Sequence, residues 1–247
     1  MKHNIAVKVA PFGRWTPQKR GAFTLIVRRL NYPSSEVIVS HTPTVECKPN
    51  GPYLVKGLSD LRTSSGEILP PQPVVALCRC GGSANKPFCD GSHQRNGFSG
   101  TNLTPGPEVR TDYRAAGITI HDNRALCAHA GRCTDGLASV FKYGSEPWID
   151  PTGASIAAIV ETIRQCPSGA LSYSLDAPES PQEPATPSVV VTKNGPYEVS
   201  AGVAFIDPAT GRTNQGARLT LCRCGGSMNK PFCDGSHWSN GFADEKN

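Results

Sequence analysis

The chain has 247 residues, room for one large or two to three small domains, and a net charge of +5. Apolar residues make up 38%, against 25 glycines and 22 prolines, which predicts small loop-rich modules that lean on a cofactor rather than one large core. No run of about eighteen apolar residues and no apolar leader is present, so the expectation is a cytoplasmic chain without membrane helix or secretory signal, whose ten cysteines are metal ligands rather than disulfides.

Residues 1–44 form an N-terminal extension with short apolar runs, Phe23–Val27 and Glu36–Ser40, that could add strands. Its basic residues, Arg14, Lys19, Arg20, Arg28 and Arg29, read as a solvated face, and no nucleic-acid partner is predicted. From residue 45 the chain repeats itself at an offset of 144. The offset aligns NGPYLV at 50–55 with NGPYEV at 194–199, LCRCGGSANKPFCDGSH at 77–93 with LCRCGGSMNKPFCDGSH at 221–237, and NGF at 96–98 with NGF at 240–242. Two copies mean duplication and not a solenoid. In each copy a strand leads into the cysteines, Val74–Leu77 and Ala217–Leu221, and Ser188–Thr192 (SVVVT) is strongly β-prone.

The ligand spacing is C-x-C-x8-C-x3-H: Cys78, Cys80, Cys89 and His93, then Cys222, Cys224, Cys233 and His237. Residues i and i+2 of an extended segment share a side, so Cys78 and Cys80 can grip one ion. Pro87 and Pro231 suit the start of a helix, and Asp90 or Asp234 its first turn. In that helix Cys89 and His93 would lie at i and i+4 on one face. Two bidentate pairs could enclose one zinc, straddle two irons, or be disulfide-bonded or plain structural cysteines. Arg79, Lys86, Arg223 and Lys230 either offset negative charge at the site or are ordinary solvated surface. Cys47 is left over and aligns with Val191, where a thiol acts as a small hydrophobe.

Between the repeats, Gly117–His121 reads as a strand and Leu171–Leu175 as a returning one. Ser155–Gln165 carries Ile156, Ile159, Val160 and Ile163 at helical spacing. CAHAGRC at 127–133 and CPSGAL at 166–171 hold three cysteines and one histidine, and Phe141 and Trp148 read as module core. Residues 176–188, DAPESPQEPATPS, form a Pro-rich linker.

The stretch C-R-C-G-G-S-x-N-K-P-F-C-D-G-S-H resembles the signature of the CDGSH iron–sulfur, or NEET, family, and its double occurrence resembles the tandem members. The resemblance implies a [2Fe–2S] cluster in each copy. Cys78 and Cys80 would bind one iron, Cys89 and His93 the other, with Cys222, Cys224, Cys233 and His237 repeating the arrangement. The pattern C-x-H-A-G-x-C, then Pro147-Trp148-Ile149, then CPSGAL resembles the divergent single-cluster [4Fe–4S] ferredoxin-like family over Tyr113–Leu175. It implies Cys127, Cys133 and Cys166 as ligands, with His129 as a fourth in a [4Fe–4S] site or no fourth in a [3Fe–4S] site; the alternatives are an empty site with packed cysteines and a His129 that is a turn residue bonded to backbone. A cluster with one imidazole is less negative than an all-cysteine site, which raises its potential and exposes it to acid.

The expected fold class is α+β and loop-rich. Two small β-rich units (45–103 and 188–247) pack as a pseudo-symmetric pair, with a ferredoxin-like βαβ module (112–177) between them in sequence. The expected function is electron transfer, or cluster transfer and redox sensing, with a redox partner or an apo-acceptor protein. No enzymatic turnover and no membrane partner are expected, and a monomer suffices because the units pair within the chain. No P-loop, nucleophile elbow or Rossmann fingerprint is found. The competing reading is a zinc-stabilised interaction module.

Overall fold

In the computed structural model, residues 42–104, 109–179, 186–214 and 217–244 are described; the N-terminal runs and the middle of the Pro-rich segment lie outside them. The architecture is α+β and mostly sheet. The first repeat contributes β1 (Thr44–Cys47), β2 (Tyr53–Lys56), β3 (Asp60–Thr63) and β4 (Val74–Leu77). The central module has β5 (Arg110–Ala115), β6 (Ile118–Asn123), α1 (Arg132–Gly136), α2 (Ile156–Arg164) and β7 (Leu171–Leu175). The second repeat supplies β8 (Ser188–Val191), β9 (Tyr197–Val199), β10 (Ala204–Asp207), β11 (Arg212–Asn214) and β12 (Leu219–Leu221).

The repeats exchange strands. One sheet runs β11-β10-β1-β2-β4 and the other β12-β9-β8-β3. Each sheet is built mainly from one repeat and completed by the other across a parallel pair: the β10–β11 hairpin of the second repeat joins the first sheet where β1 pairs with β10, and β3 of the first repeat joins the second where it pairs with β8. The alternating pattern of each short strand turns one face inward, so Val45, Val55, Leu61, Val75 and Leu77 meet Val189, Val199, Phe205, Leu219 and Leu221 in one shared core. Neither repeat could close such a core alone. Cys47 lies in it, 1% exposed, and burial pushes its thiol up to about 12.

Two tyrosines from the NGPY segments cross between the repeats. The Tyr53 hydroxyl donates to the carbonyls of Cys222 and Pro231 at 3.0 and 2.9 Å; the Tyr197 hydroxyl donates to those of Cys78 and Pro87 at 2.8 and 3.0 Å. Their rings meet edge to face at 6.0 Å. Tyr197→Phe takes the hydroxyl donor from the Cys78 carbonyl and leaves Pro87 O with the Cys78 N–H alone, so it should cost about 1–3 kcal/mol in denaturant unfolding.

The central module has its own core. α2 begins where the Ser155 hydroxyl caps the N–H of Ala158, and it buries Ile159, Val160 and Ile163 against Ile118, Ile120 and Phe141. Ile156, expected on the same stripe, sits on the first turn and is 38% exposed. The sheet order is β5-β6-β7, all antiparallel, with α2 joining β6 to β7. Strand β5 was not expected from the sequence; its residues RTDYRA are polar and lie at an edge. Phe141 and Trp148 are core residues, 0% and 7% exposed, and the indole N–H donates to Asp122 at 3.0 Å.

Candidate metal centres

Each repeat folds its cysteine motif back onto the strand before it. Cys78 N donates to Pro87 O and Cys89 N to Ala76 O, both at 2.8 Å, which lays residues 87–89 beside the end of β4. Cys222 to Pro231 at 2.8 Å and Cys233 to Thr220 at 3.0 Å repeat the pattern. Ser83 Oγ donates to Phe88 O at 2.7 Å and accepts from Asn85 N, so the intervening loop is a closed turn.

Cys89 and His93 do not lie on the expected α-helix. Gly91 adopts a left-handed φ of 84°, and only a single 3-10 turn, Ser92–Gln94, follows it. Asp90 ties the turn, accepting from Ala84 N at 2.9 Å and Ser92 N at 3.0 Å. These contacts, with the Ser92 hydroxyl first, hold its carboxyl well below the usual range. Asp234, Gly235 and Ser236–Trp238 form the same turn in the second repeat.

The turn still pairs the ligands. Cys78 and Cys80 sulfurs stand 3.8 Å apart, and Cys89 Sγ stands 3.4 Å from His93 Nδ1. Cys222 to Cys224 and Cys233 to His237 give the same 3.8 and 3.4 Å. A tetrahedral ion with bonds of about 2.3 Å to sulfur and 2.0 Å to nitrogen would set such pairs ~3.8 and ~3.5 Å apart. Hydrogen bonds in the metal-free chain fit the same separations. Among the described residues, no three His, Cys, Asp or Glu side chains converge on one point to hold a single ion. The motifs offer pairs.

Burial makes bare thiolates costly here. It pushes Cys233 up to about 12 and Cys78 up to about 11. Cys224 runs the other way, lowered to about 6 by the Cys222 thiol, with Gly226 N–H and Asn240 assisting. The His237 imidazole is held neutral, its pKa lowered by burial and by Arg223, although Asp234 opposes this. Such a set accepts a cation by shedding thiol protons.

Arg79 and Arg223 are neither solvated nor at the surface. Alternation turns them away from the flanking sulfurs into the core, where they are 4% and 1% exposed. Arg79 donates to Lys48 O and Gly100 O at 3.1 Å and lies over the rings of Tyr53 and Phe98 at 5.4 and 5.6 Å. Arg223 donates to Gly195 O and Thr192 O, pairs with Asp244, and lies over Tyr197 and Phe242 at 5.6 and 4.9 Å. The recurring NGPY and NGF landmarks are therefore the walls around an arginine. Lys86 and Lys230 bend back to the carbonyls of Ser83 and Ser227.

The two motifs touch. Cys80 and Cys224 form an antiparallel bridge. Gly81 and Gly225 have φ of 73° and 76°, and a Cβ on either would sit 2.5–2.6 Å from the other motif's Cys224 or Cys80 carbonyl. Only glycine allows that approach.

In the central module, Cys127, His129, Cys133 and Cys166 line one cavity of about 470 Å³, with Trp148 and Arg124 on its wall. Cys127 follows a 3-10 turn, Cys133 is on the first turn of α1, and Cys166 follows α2. Burial raises the Cys133 thiol, and Cys127 and Cys166 add to this as charged neighbours. His129 has a φ of 52° and packs against the second motif: a Cβ on Gly235 would meet His129 Cβ at 3.2 Å. Asn229 Nδ2 donates to Ala125 O at 2.5 Å, and Arg132 pairs with Glu198.

Residues 50–94 and 194–238 match the family model described as an iron-binding zinc finger of CDGSH type, and residues 113–176 match the divergent 4Fe-4S mono-cluster model. Two curated relatives, the uncharacterized protein YjdI of Escherichia coli strain K12 and that of E. coli O157:H7, are each 39% identical over 61 residues. That stretch is 25% of this chain and 80% of each relative.

Proposed function

We propose an electron-carrying function for this chain, which belongs to the CDGSH iron–sulfur family in its tandem form, with two CDGSH domains flanking a divergent 4Fe-4S mono-cluster domain. The observation that carries the reading is the pairwise spacing of the ligands, 3.8 Å between sulfurs and 3.4 Å between sulfur and imidazole, twice over. Two pairs, one of two thiols and one of a thiol and an imidazole, suit two irons bridged by sulfide. On this reading Cys78, Cys80, Cys89 and His93 hold one [2Fe–2S] cluster and Cys222, Cys224, Cys233 and His237 another. Cys127, Cys133 and Cys166, with His129 as fourth ligand, hold a [4Fe–4S] cluster in the central cavity. The reciprocal strand exchange and crossed tyrosines support treating the CDGSH units as a pseudo-symmetric pair.

An iron–sulfur cluster takes up and releases single electrons. The protein's share is to hold the sulfurs, favour the neutral imidazole of His237, and bury the arginines behind them. No acid, base or nucleophile is required, so we assign no substrate turnover. The partner is a one-electron donor or acceptor protein. Among the described residues no helix is long and apolar enough to cross a membrane.

Acid is the direct test of the histidines. His237 favours its neutral form, so its contribution is complete above the unfolded pKa, ~6.5, and falls away as pH drops below it. Below about pH 6 the visible absorbance should bleach, and the double variant His93→Cys with His237→Cys should bleach at least about tenfold more slowly. Equal rates in the two chains would remove histidine ligation. One observation favours cluster donation as a second reading: Cys89 and His93 of the first site are only half-buried. Mixing with an apo-ferredoxin separates the two, since donation bleaches this chain and electron transfer does not.

A further inference from the structure

The two CDGSH sites share every ligand, yet their surroundings differ in charge and in cover. The offset of 144 places Gly100 where the second repeat has Asp244. Arg223 is thereby neutralised by a buried carboxylate, while Arg79 has only carbonyls and ring faces, and its Nε finds no partner. No carboxylate pairs with Arg79 among the described residues. Asp207 makes no ion pair with Arg79 but is a buried carboxylate whose charge, like that of Arg79, reaches Cys47; it accepts from Ala209 N at 3.1 Å and Thr210 Oγ1 at 2.9 Å and offsets part of the arginine's field. The cover differs as well. A Cβ on Gly235 would meet His129 and Ala128 of the central module at 3.2 and 3.5 Å, whereas one on Gly91 would meet nothing within 4 Å. Cys233 and His237 are accordingly 3% and 7% exposed, and Cys89 and His93 only half-buried.

Both differences act in one direction. A buried positive charge favours the more negative, reduced state, and so does access to water. Two effects oppose them: the Asp207 carboxylate on the side of the first site, and Gly235 N, which donates to Cys233 Sγ at 3.5 Å in the second site, a weak bond that stabilises the reduced form there. A full charge in a low-dielectric core outweighs a single long N–H···S contact.

We propose that the two CDGSH sites are inequivalent by construction: the second, sealed by the central module, is a low-potential internal site, and the first, over the unpaired Arg79, is the high-potential terminal site. The proposal rests on the electron-carrying reading above. With clusters held by the two ligand sets, an electron supplied by a one-electron donor protein on the side of the central module would rest at equilibrium on the first site, the second being reoxidised as the first is reduced, with no bond made or broken. The bridge between Cys80 and Cys224 and the contact of His129 with Gly235 set that order in space.

The test is a redox titration of the full chain followed by visible absorbance and electron paramagnetic resonance. Cys233→Ala isolates the first site and Cys89→Ala the second. The isolated first site should take up its electron more readily than the second by about tenfold, ~59 mV for a one-electron couple. Gly100→Asp in the Cys233→Ala chain should remove most of that advantage: a Cβ there would lie 2.8 Å from Arg79 Nη1, so the guanidinium must draw back slightly to receive the carboxylate beside it. Asp244→Gly in the Cys89→Ala chain should raise the second site; if it does not fold, Gly100→Asp decides alone. Equal or reversed potentials, or a first site unmoved by Gly100→Asp, would overturn the proposal while leaving a coloured iron protein. A colourless chain carrying zinc would remove the reading beneath it as well, and iron and sulfide counts tell these failures apart.

Discussion

Asp244→Ala should lower the stability of the chain by about 3–5 kcal/mol, the range for breaking a buried ion pair from one side. Asp244 is 3% exposed and Arg223 1%, and the pair is the only buried Arg–carboxylate bridge among the described residues with both side chains nearly sealed. Removing the carboxylate strands a guanidinium between Tyr197 and Phe242. The loss spreads, because Asp244 N also donates to Asn194 Oδ1 at 2.7 Å and so ties the chain end to the NGPY turn. Arg79 shows that an unpaired arginine is tolerated in the other repeat, where the adjoining site bears the balancing negative charge once a cluster is bound. The destabilisation of Asp244→Ala should accordingly be larger in the metal-free chain. Chemical denaturation of both forms reads this directly, and a change under about 0.5 kcal/mol in the metal-free form would show the pair to be incidental.

Cys233→Ala should abolish cluster binding at the second site and leave the first intact. The Cys233 thiol is nearly buried and pushed up to about 12, so it becomes a thiolate only when a cation replaces its proton. Its loss leaves His237 as the sole ligand on that side, at a site whose other sulfurs sit in the opposing pair. Iron per chain should fall by about two, with sulfide falling in parallel. Because the central loop packs on Gly235, some loosening of the central module should accompany it; retention of all iron would show that Cys233 is no ligand.

Much of the fold is legible locally, and the rest is not local. The β-prone SVVVT segment and the Ile159, Val160, Ile163 stripe behind Ser155 are read from periodicity and capping alone. The exchange of β3 and β10 is not, because β-propensity does not name a strand's partner. The helix expected from Cys89 to His93 fails on Gly91, whose left-handed φ ends any helix before it starts, yet the turn delivers the same ligand pair. The burial of Arg79 and Arg223 had a signal in the sequence. C-R-C alternation turns each arginine away from its sulfurs, and NGPY and NGF recur at the offset that places their rings against it. The packing of the central loop on one CDGSH site alone had none, since the two motifs are almost identical in sequence.

Counting iron, acid-labile sulfide and zinc on the anaerobically purified chain tests the central claim most directly. Paired ligands on two irons predict about two irons and two sulfides for each CDGSH motif, more with the central cluster, and a coloured protein. About one zinc per motif with no sulfide, in a colourless protein, would contradict it.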